Sequence, residues 1–240
     1  MRLASAAVTA CVAVCLAASA RAGDLVVVSN STAIGFARGA VLADGTSVTI
    51  PAGQRLALID VTGRGMVIRG PYQGPVHAPS TEASDTGGVL TTVKSILTSG
   101  ALTSGVARAA GDEPQPPDPR LLDISADATV CVAAGGGVRL WRPTPTKRTT
   151  LFVTRLATGE RAELLWPANE ATVPWPNTLR IADGESYQFA LQGVVAKPRL
   201  AIKLEPPEPL AVASAKRLAD AGCLGQAVTM LEAIAAAGAR

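Results

Sequence analysis

Residue types able to do chemistry are sparse in this chain of 240 residues, and their spacing assembles no catalytic set. The one histidine, His77, lies in a Gly- and Pro-rich stretch that runs from Gly70 to Ser80. As a general base it would need a nucleophile within reach and a carboxylate to orient it. Ser80 and Glu82 are close in sequence, but a Pro-rich loop preorganises neither, so His77 reads as an exposed loop residue. A zinc site needs three or four convergent ligands. One histidine and the well-separated Cys131 and Cys223 do not supply them, and Asp123, Asp127, Asp183 and Glu185 lack calcium-loop spacing. Glu160 and Glu163 could be imagined as a glycosidase dyad, yet they stand beside a hairpin turn and read as a solvated strand end. Gly135-Gly136-Gly137 is followed by the strand-like Val138-Arg139-Leu140-Trp141, whereas a phosphate cradle opens a helix. These residues predict no enzyme, no metal and no cofactor.

Three tryptophans remain. Trp141, Trp166 and Trp175 each stand next to or near a proline, in Trp141-Arg142-Pro143, Trp166-Pro167 and Pro174-Trp175-Pro176. Exposed Trp beside Pro forms a flat platform for a sugar ring or a Pro-rich peptide. Trp at strand ends also closes a sandwich core, and that is the preferred reading. Arg139, Arg142, Lys147 and Arg148 form the one local basic cluster, read as a solvated face that could meet an acidic partner.

The setting of these residues follows from the ends and the composition. Residues 1–22 read as an export signal: Met1-Arg2 is positive, Leu3 to Ala18 is apolar, and Ala20-Arg21-Ala22 fits the small-x-small rule with cleavage before Gly23. The alternative is a retained N-terminal anchor. Without the leader the 22 basic residues fall by Arg2 and Arg21, against 19 acidic ones, so near-neutrality predicts no nucleic-acid partner. No later run reaches transmembrane length. Of four cysteines, Cys11 and Cys15 lie in the leader. Cys131 and Cys223 in an oxidising compartment predict one disulfide, the alternative being two separate buried thiols. The expected location is periplasmic or secreted.

Stepping along the chain, Gly23 to Asn30 reads as a buried strand. Gly39 to Gly74 alternates apolar pairs (Val48/Ile50, Leu56/Leu58, Met66/Ile68) with turns at Asp44-Gly45, Pro51-Ala52-Gly53, Thr62 to Gly65 and Gly70-Pro71. That is a meander with one face to a core and one to water, with a hairpin at Asp44-Gly45. Residues 79–120 read as a Pro-rich linker holding a weak helix that frays near Gly100. From 121 to 205, short strands separated by Gly135–Gly137, Thr158-Gly159 and Asp183-Gly184 predict an Ig-like antiparallel β-sandwich. Residues 206–240 switch to helical spacing, with Val212, Ala215, Leu218 and Ala219 before Gly222, and Ala227, Val228, Leu231 and Ile234 after it. This C-terminal α-hairpin must pack on the sandwich or on another protein, and a Cys131–Cys223 bridge would clamp it to the sheet.

Two resemblances attach to these residues. Gly39-x-Val41-Leu42-x-Asp44-Gly45, then Pro51-Ala52-Gly53 with alternating Leu, then Gly70-Pro71-Tyr72 resembles the periplasmic β-domain of FecR-type proteins, over residues 23–78. The iron-dicitrate sensors of that kind carry a cytoplasmic anti-sigma segment and a membrane helix ahead of this domain. An export leader stands there instead, so the resemblance implies a periplasmic interaction domain rather than direct sigma-factor control. The C-terminal pair resembles a single tetratricopeptide-like hairpin. The expectation is a mainly β, exported, non-catalytic interaction module that meets an unidentified envelope protein. The alternative is a carbohydrate- or peptidoglycan-associating protein using Trp141, Trp166, Trp175 and Arg142.

Overall fold

A computed structural model describes residues 23–30, 34–79, 87–103, 115–143, 147–206 and 209–238. The expected export leader, 1–22, and the Pro-rich run up to residue 114 lie outside the described residues. Among the described residues the fold is mainly β, with 38% strand against 20% helix, and it closes with a helix pair.

The first lobe holds six strands: β1 (Leu25–Asn30), β2 (Val41–Leu42), β3 (Thr46–Ile50), β4 (Arg55–Asp60), β5 (Gly65–Arg69) and β6 (Tyr72–Val76). Antiparallel pairing gives a four-stranded sheet in the order β2-β1-β4-β5, while β3 and β6 pair separately. Successive side chains of a strand point to opposite faces. Leu25 and Val27 of β1 therefore join Leu56 and Leu58 of β4 in a core that also holds Ile50 and Val76 of the two-stranded sheet. Val26, Val28, Ala57 and Ile59 face the other way and are buried as well. The meander was expected to show water one face; its two central strands show none, which explains the unbroken Leu-Val-Val-Val run. Asp44-Gly45 is a turn, closed by Thr46 N–H donating to Ala43 C=O, with Gly45 at φ +79°. It joins β2 to β3, which lie in different sheets, so it turns a corner where a hairpin was expected.

The second face of that sheet is covered by three helices, α1 (Gly87–Thr103), α2 (Val212–Asp220) and α3 (Leu224–Ala237). Leu90, Val93, Ile96 and Leu97 of α1 pack with Ala215 and Leu218 of α2 and with Leu231 and Ile234 of α3. The C-terminal hairpin thus docks mainly on the first lobe, beside α1, and meets the second lobe around Cys131. The bare apolar face of β1 and β4 supplies the physical reason. So does α3, buried on nearly its whole circumference from Gln226 to Leu231, which requires neighbours on every side. Helix and sheet meet most closely at Gly65, where a Cβ would fall 2.2 Å from the carbonyl oxygen of Ile234. Gly65→Ala is expected to force the C-terminal turn of α3 off the sheet and cost about 1–3 kcal/mol, read from the urea midpoint.

The second lobe is a sandwich of β7 (Leu121–Asp123), β8 (Ala128–Ala133), β9 (Arg139–Trp141), β10 (Thr149–Arg155), β11 (Arg161–Trp166), β12 (Thr172–Pro174), β13 (Ser186–Leu191) and β14 (Arg199–Glu205). Five strands run in the order β11-β10-β13-β14-β8 and three in the order β12-β9-β7. Leu140, Leu151, Trp166, Tyr187, Phe189 and Leu200 fill the space between the sheets. The Thr158-Gly159 hairpin joins β10 to β11 as expected. Most ladders are antiparallel, but β14/β8 and β7/β9 are parallel. Strands β8 and β9, which flank Gly135–Gly137, lie in different sheets instead of forming a hairpin. Residues 177–182, between β12 and β13, form no strand, because Tyr187 Oη takes up their main chain: it donates to Arg180 C=O and accepts from Ala182 N–H.

Candidate functional site

Strand β8 belongs to both lobes. Val130 and Val132 point into the sandwich, while Cys131, on the opposite face, packs among the helices. Cys131 is bonded to Cys223, the residue that precedes α3, with the two Cα atoms 5.8 Å apart. Three residues on, the buried side chain of Gln226 meets the same strand. Its Oε1 accepts from Cys131 N–H at 2.6 Å, and its Nε2 donates to Cys131 C=O and Pro119 C=O, both at 2.8 Å. The amide takes the place that the main chain of a sixth strand would fill, and so covers the outer edge of β8 at Cys131. Lys203 on β14 adds a hydrogen bond from Nζ to the C=O of Ala221. The joint between the lobes is therefore covalent, hydrogen-bonded and apolar at one spot.

Beside this joint lies a cleft of about 590 Å³, within the range that holds small ligands or a few residues of peptide. Val132, Val138, Leu218 and Met230 give it an apolar lining, and Pro119 and Ala133 continue the wall. Leu210 stands at its rim with 49% of its surface exposed, high for a leucine beside a concave surface. A second hollow of about 350 Å³, toward Gly63 and Ile234, shares Leu210. Three charged groups border the cleft. Arg120 is paired with Asp118, whose carboxylate also accepts from Arg120 N–H at 2.8 Å. Glu205 has no ion pair among the described residues.

The aromatic platform is not present. Trp166 is wholly buried, with Nε1 donating to Glu170 C=O, and Trp141 is 4% exposed. Trp175 packs edge-on against Tyr187 at 5.1 Å and donates to Leu179 C=O. Trp166 and Trp175 close the sandwich, each burying a large apolar ring while its N–H finds a carbonyl, and Trp141 is buried on β9. Arg142 lies over the Trp166 ring, 4.6 Å from its centre, and burial lowers its guanidinium below the usual range. It therefore serves the sandwich rim and offers no open stacking face. Arg139 is turned toward Thr172, while Lys147 and Arg148 are exposed.

His77 is exposed and lies 3.3 Å from a carboxylate oxygen of Asp44, which also accepts from Ala78 N–H at 3.0 Å. The Ala78 amide first, and His77 second, hold the Asp44 carboxyl below its usual 3.8. A carboxyl depressed in the folded state stabilises above its unfolded value, and the contribution is lost as pH falls through the folded value. Carbon-detected NMR titration is expected to place the Asp44 midpoint below that of Asp44 in the urea-unfolded chain.

The residues of the joint and the cleft that sequence reasoning missed are Gln226, Ala133, Leu210 and Glu205. A glutamine among the apolar residues of α3 was a visible signal, but its partners lie 95 and 107 positions away. Among the described residues, no group of three His, Cys, Asp or Glu could hold a metal, and no helix is long and apolar enough to cross a membrane. No protein-family model matches this chain, and no curated protein matches it in sequence.

Proposed function

We propose that the chain is an exported, non-catalytic interaction module of the bacterial envelope, FecR-like in its first lobe, that holds a segment of a partner protein in the cleft between its lobes. The observation that carries this reading is the apolar cleft walled by a disulfide-fastened joint, with Leu210 exposed at its rim. A groove between covalently tied walls is preorganised, so binding loses little freedom in the host. The disulfide suits an oxidising compartment, in line with the export-like leader and the turn pattern shared with FecR-type domains.

The test is a photo-crosslinking amino acid at Leu210, with a control at Val195, which is 96% exposed in a loop of the sandwich. In intact bacteria, Leu210 is expected to yield a discrete adduct in the envelope fraction while Val195 does not. Equal labelling from both positions, or an adduct confined to the cytosol, overturns the reading.

A further inference from the structure

We infer, resting on the cleft reading above, that the occupant is an extended peptide segment that continues the outer edge of β8, with an apolar residue against Leu210 and a basic residue toward Glu205. The main chain gives the first argument. In a strand, alternate residues direct N–H and C=O to the same edge. Cys131 directs both outward, where Gln226 takes them. Ala133, two residues on, therefore directs its N–H to the same outer edge, past the end of the glutamine and into the cleft wall. Its carbonyl is already taken by Gly136 N–H at 3.0 Å. One donor on an uncovered stretch of edge strand is the geometry by which an added strand registers itself.

Charge gives the second argument. Asp118 and Arg120, on one side of the cleft, neutralise each other. Glu205, at the end of β14 and next to Ala133 in the parallel ladder, is left as the uncompensated group. An acidic rim beside an apolar pocket selects a segment that carries a cation next to an apolar side chain, and disfavours an acidic one. Leu210 supplies exposed apolar surface for the anchor at that same mouth.

The experiment uses the full oxidised chain and fluorescence anisotropy of a labelled hexapeptide, Ser-Thr-Leu-Thr-Lys-Ser, in which Leu and Lys share one face of an extended strand. A second probe carries Glu in place of Lys. The first probe is expected to bind at least fivefold more tightly than the second. Ala133→Pro removes the donor, and proline is tolerated on an edge strand where the N–H faces outward. It is expected to weaken the first probe roughly fivefold to tenfold, the worth of one hydrogen bond. Glu205→Gln should bring the two probes to within about twofold of each other, since a rim ion pair is worth little more. Leu210→Asp, an exposed position that leaves the core untouched, should abolish binding of both. Failure of the first probe to bind, or Ala133→Pro and Glu205→Gln both binding like the parent chain, overturns strand addition. If the Leu210 adduct forms in cells in undiminished yield with Ala133→Pro in place, the interaction reading survives and this inference falls. If no adduct forms from Leu210 in the parent chain, the failure lies in the interaction reading itself.

Discussion

Reducing the disulfide, or replacing Cys223 with alanine, is expected to lower the free energy of unfolding by up to about 4.6 kcal/mol, the chain-entropy value for a loop of this length. The two cysteines are 92 residues apart, and the closed loop takes in β9 to β14 and α2, most of the second lobe. Most of the effect lies in the unfolded chain, which gains freedom once the tie is cut. Two consequences can be checked by urea unfolding with and without reductant. The midpoint should fall, and the slope should rise, because a freed chain exposes more surface when it unfolds. Cys131→Ala, Cys223→Ala and the double variant should agree within error, since each removes the same bond. Equal stability of the oxidised and reduced chains would sink this assignment.

Gln226→Leu should be nearly as damaging, although it replaces a polar side chain with an apolar one of similar size. The amide satisfies three main-chain groups that are otherwise shut away from water: Cys131 N–H, Cys131 C=O and Pro119 C=O. A buried donor or acceptor left without a partner costs about 1–3 kcal/mol, so the variant is expected to lose about 3–5 kcal/mol. Gln226→Glu tests the directionality. Its carboxylate can still accept from Cys131 N–H but brings negative charge to two carbonyl oxygens, so it should recover little. Amide hydrogen exchange at Cys131 gives a local readout and should accelerate in Gln226→Leu even where the overall fold persists. A variant within about 1 kcal/mol of the parent chain, with Cys131 still protected, would show that the outer edge of β8 has another cover. The two perturbations share one joint. Their combined cost should therefore fall short of their sum.

Other ties between the first lobe and α3 behave differently. Arg38 is paired with Glu232, yet burial still raises the Glu232 carboxyl above its usual 4.5, outweighing the lowering by Arg38 and Arg55. Desolvation thus offsets much of what this pair contributes to holding α3 on the first lobe. Steric fit at Gly65 holds α3 there as well, and no charge substitution can replace it.

Much of this was legible in the residues. Period-two spacing marked the Leu56/Leu58 and Met66/Ile68 pairs as strand, and Thr158-Gly159 marked a true hairpin. The helix pair was visible in the spacing around Gly222, which takes φ +88° between α2 and α3. Cys131 and Cys223, the two cysteines beyond residues 1–22, sufficed to name the bond. The reading failed where one pattern serves two outcomes. Asp44-Gly45 has the composition of a hairpin turn, and a sheet-to-sheet corner asks the same backbone of its glycine. Trp beside Pro also suits two outcomes, but there the core was the preferred reading, and Trp141 and Trp166 are buried.

The order of the residues by itself determined that this is a mainly β chain with a terminal helix pair, because periodicity and turn chemistry are local properties of a few consecutive side chains. It also determined that something must cover the apolar stripes of that pair. Only the tertiary structure decided what covers them: chiefly the second face of β1 and β4 together with α1, with the sandwich meeting them around Cys131. Only it brought Gln226 to Cys131 and opened a cleft at their side. Burial is written into a segment by its own composition, whereas the identity of its neighbour depends on which of several apolar faces best fits in shape, and such a choice among distant surfaces leaves no periodic trace in either one.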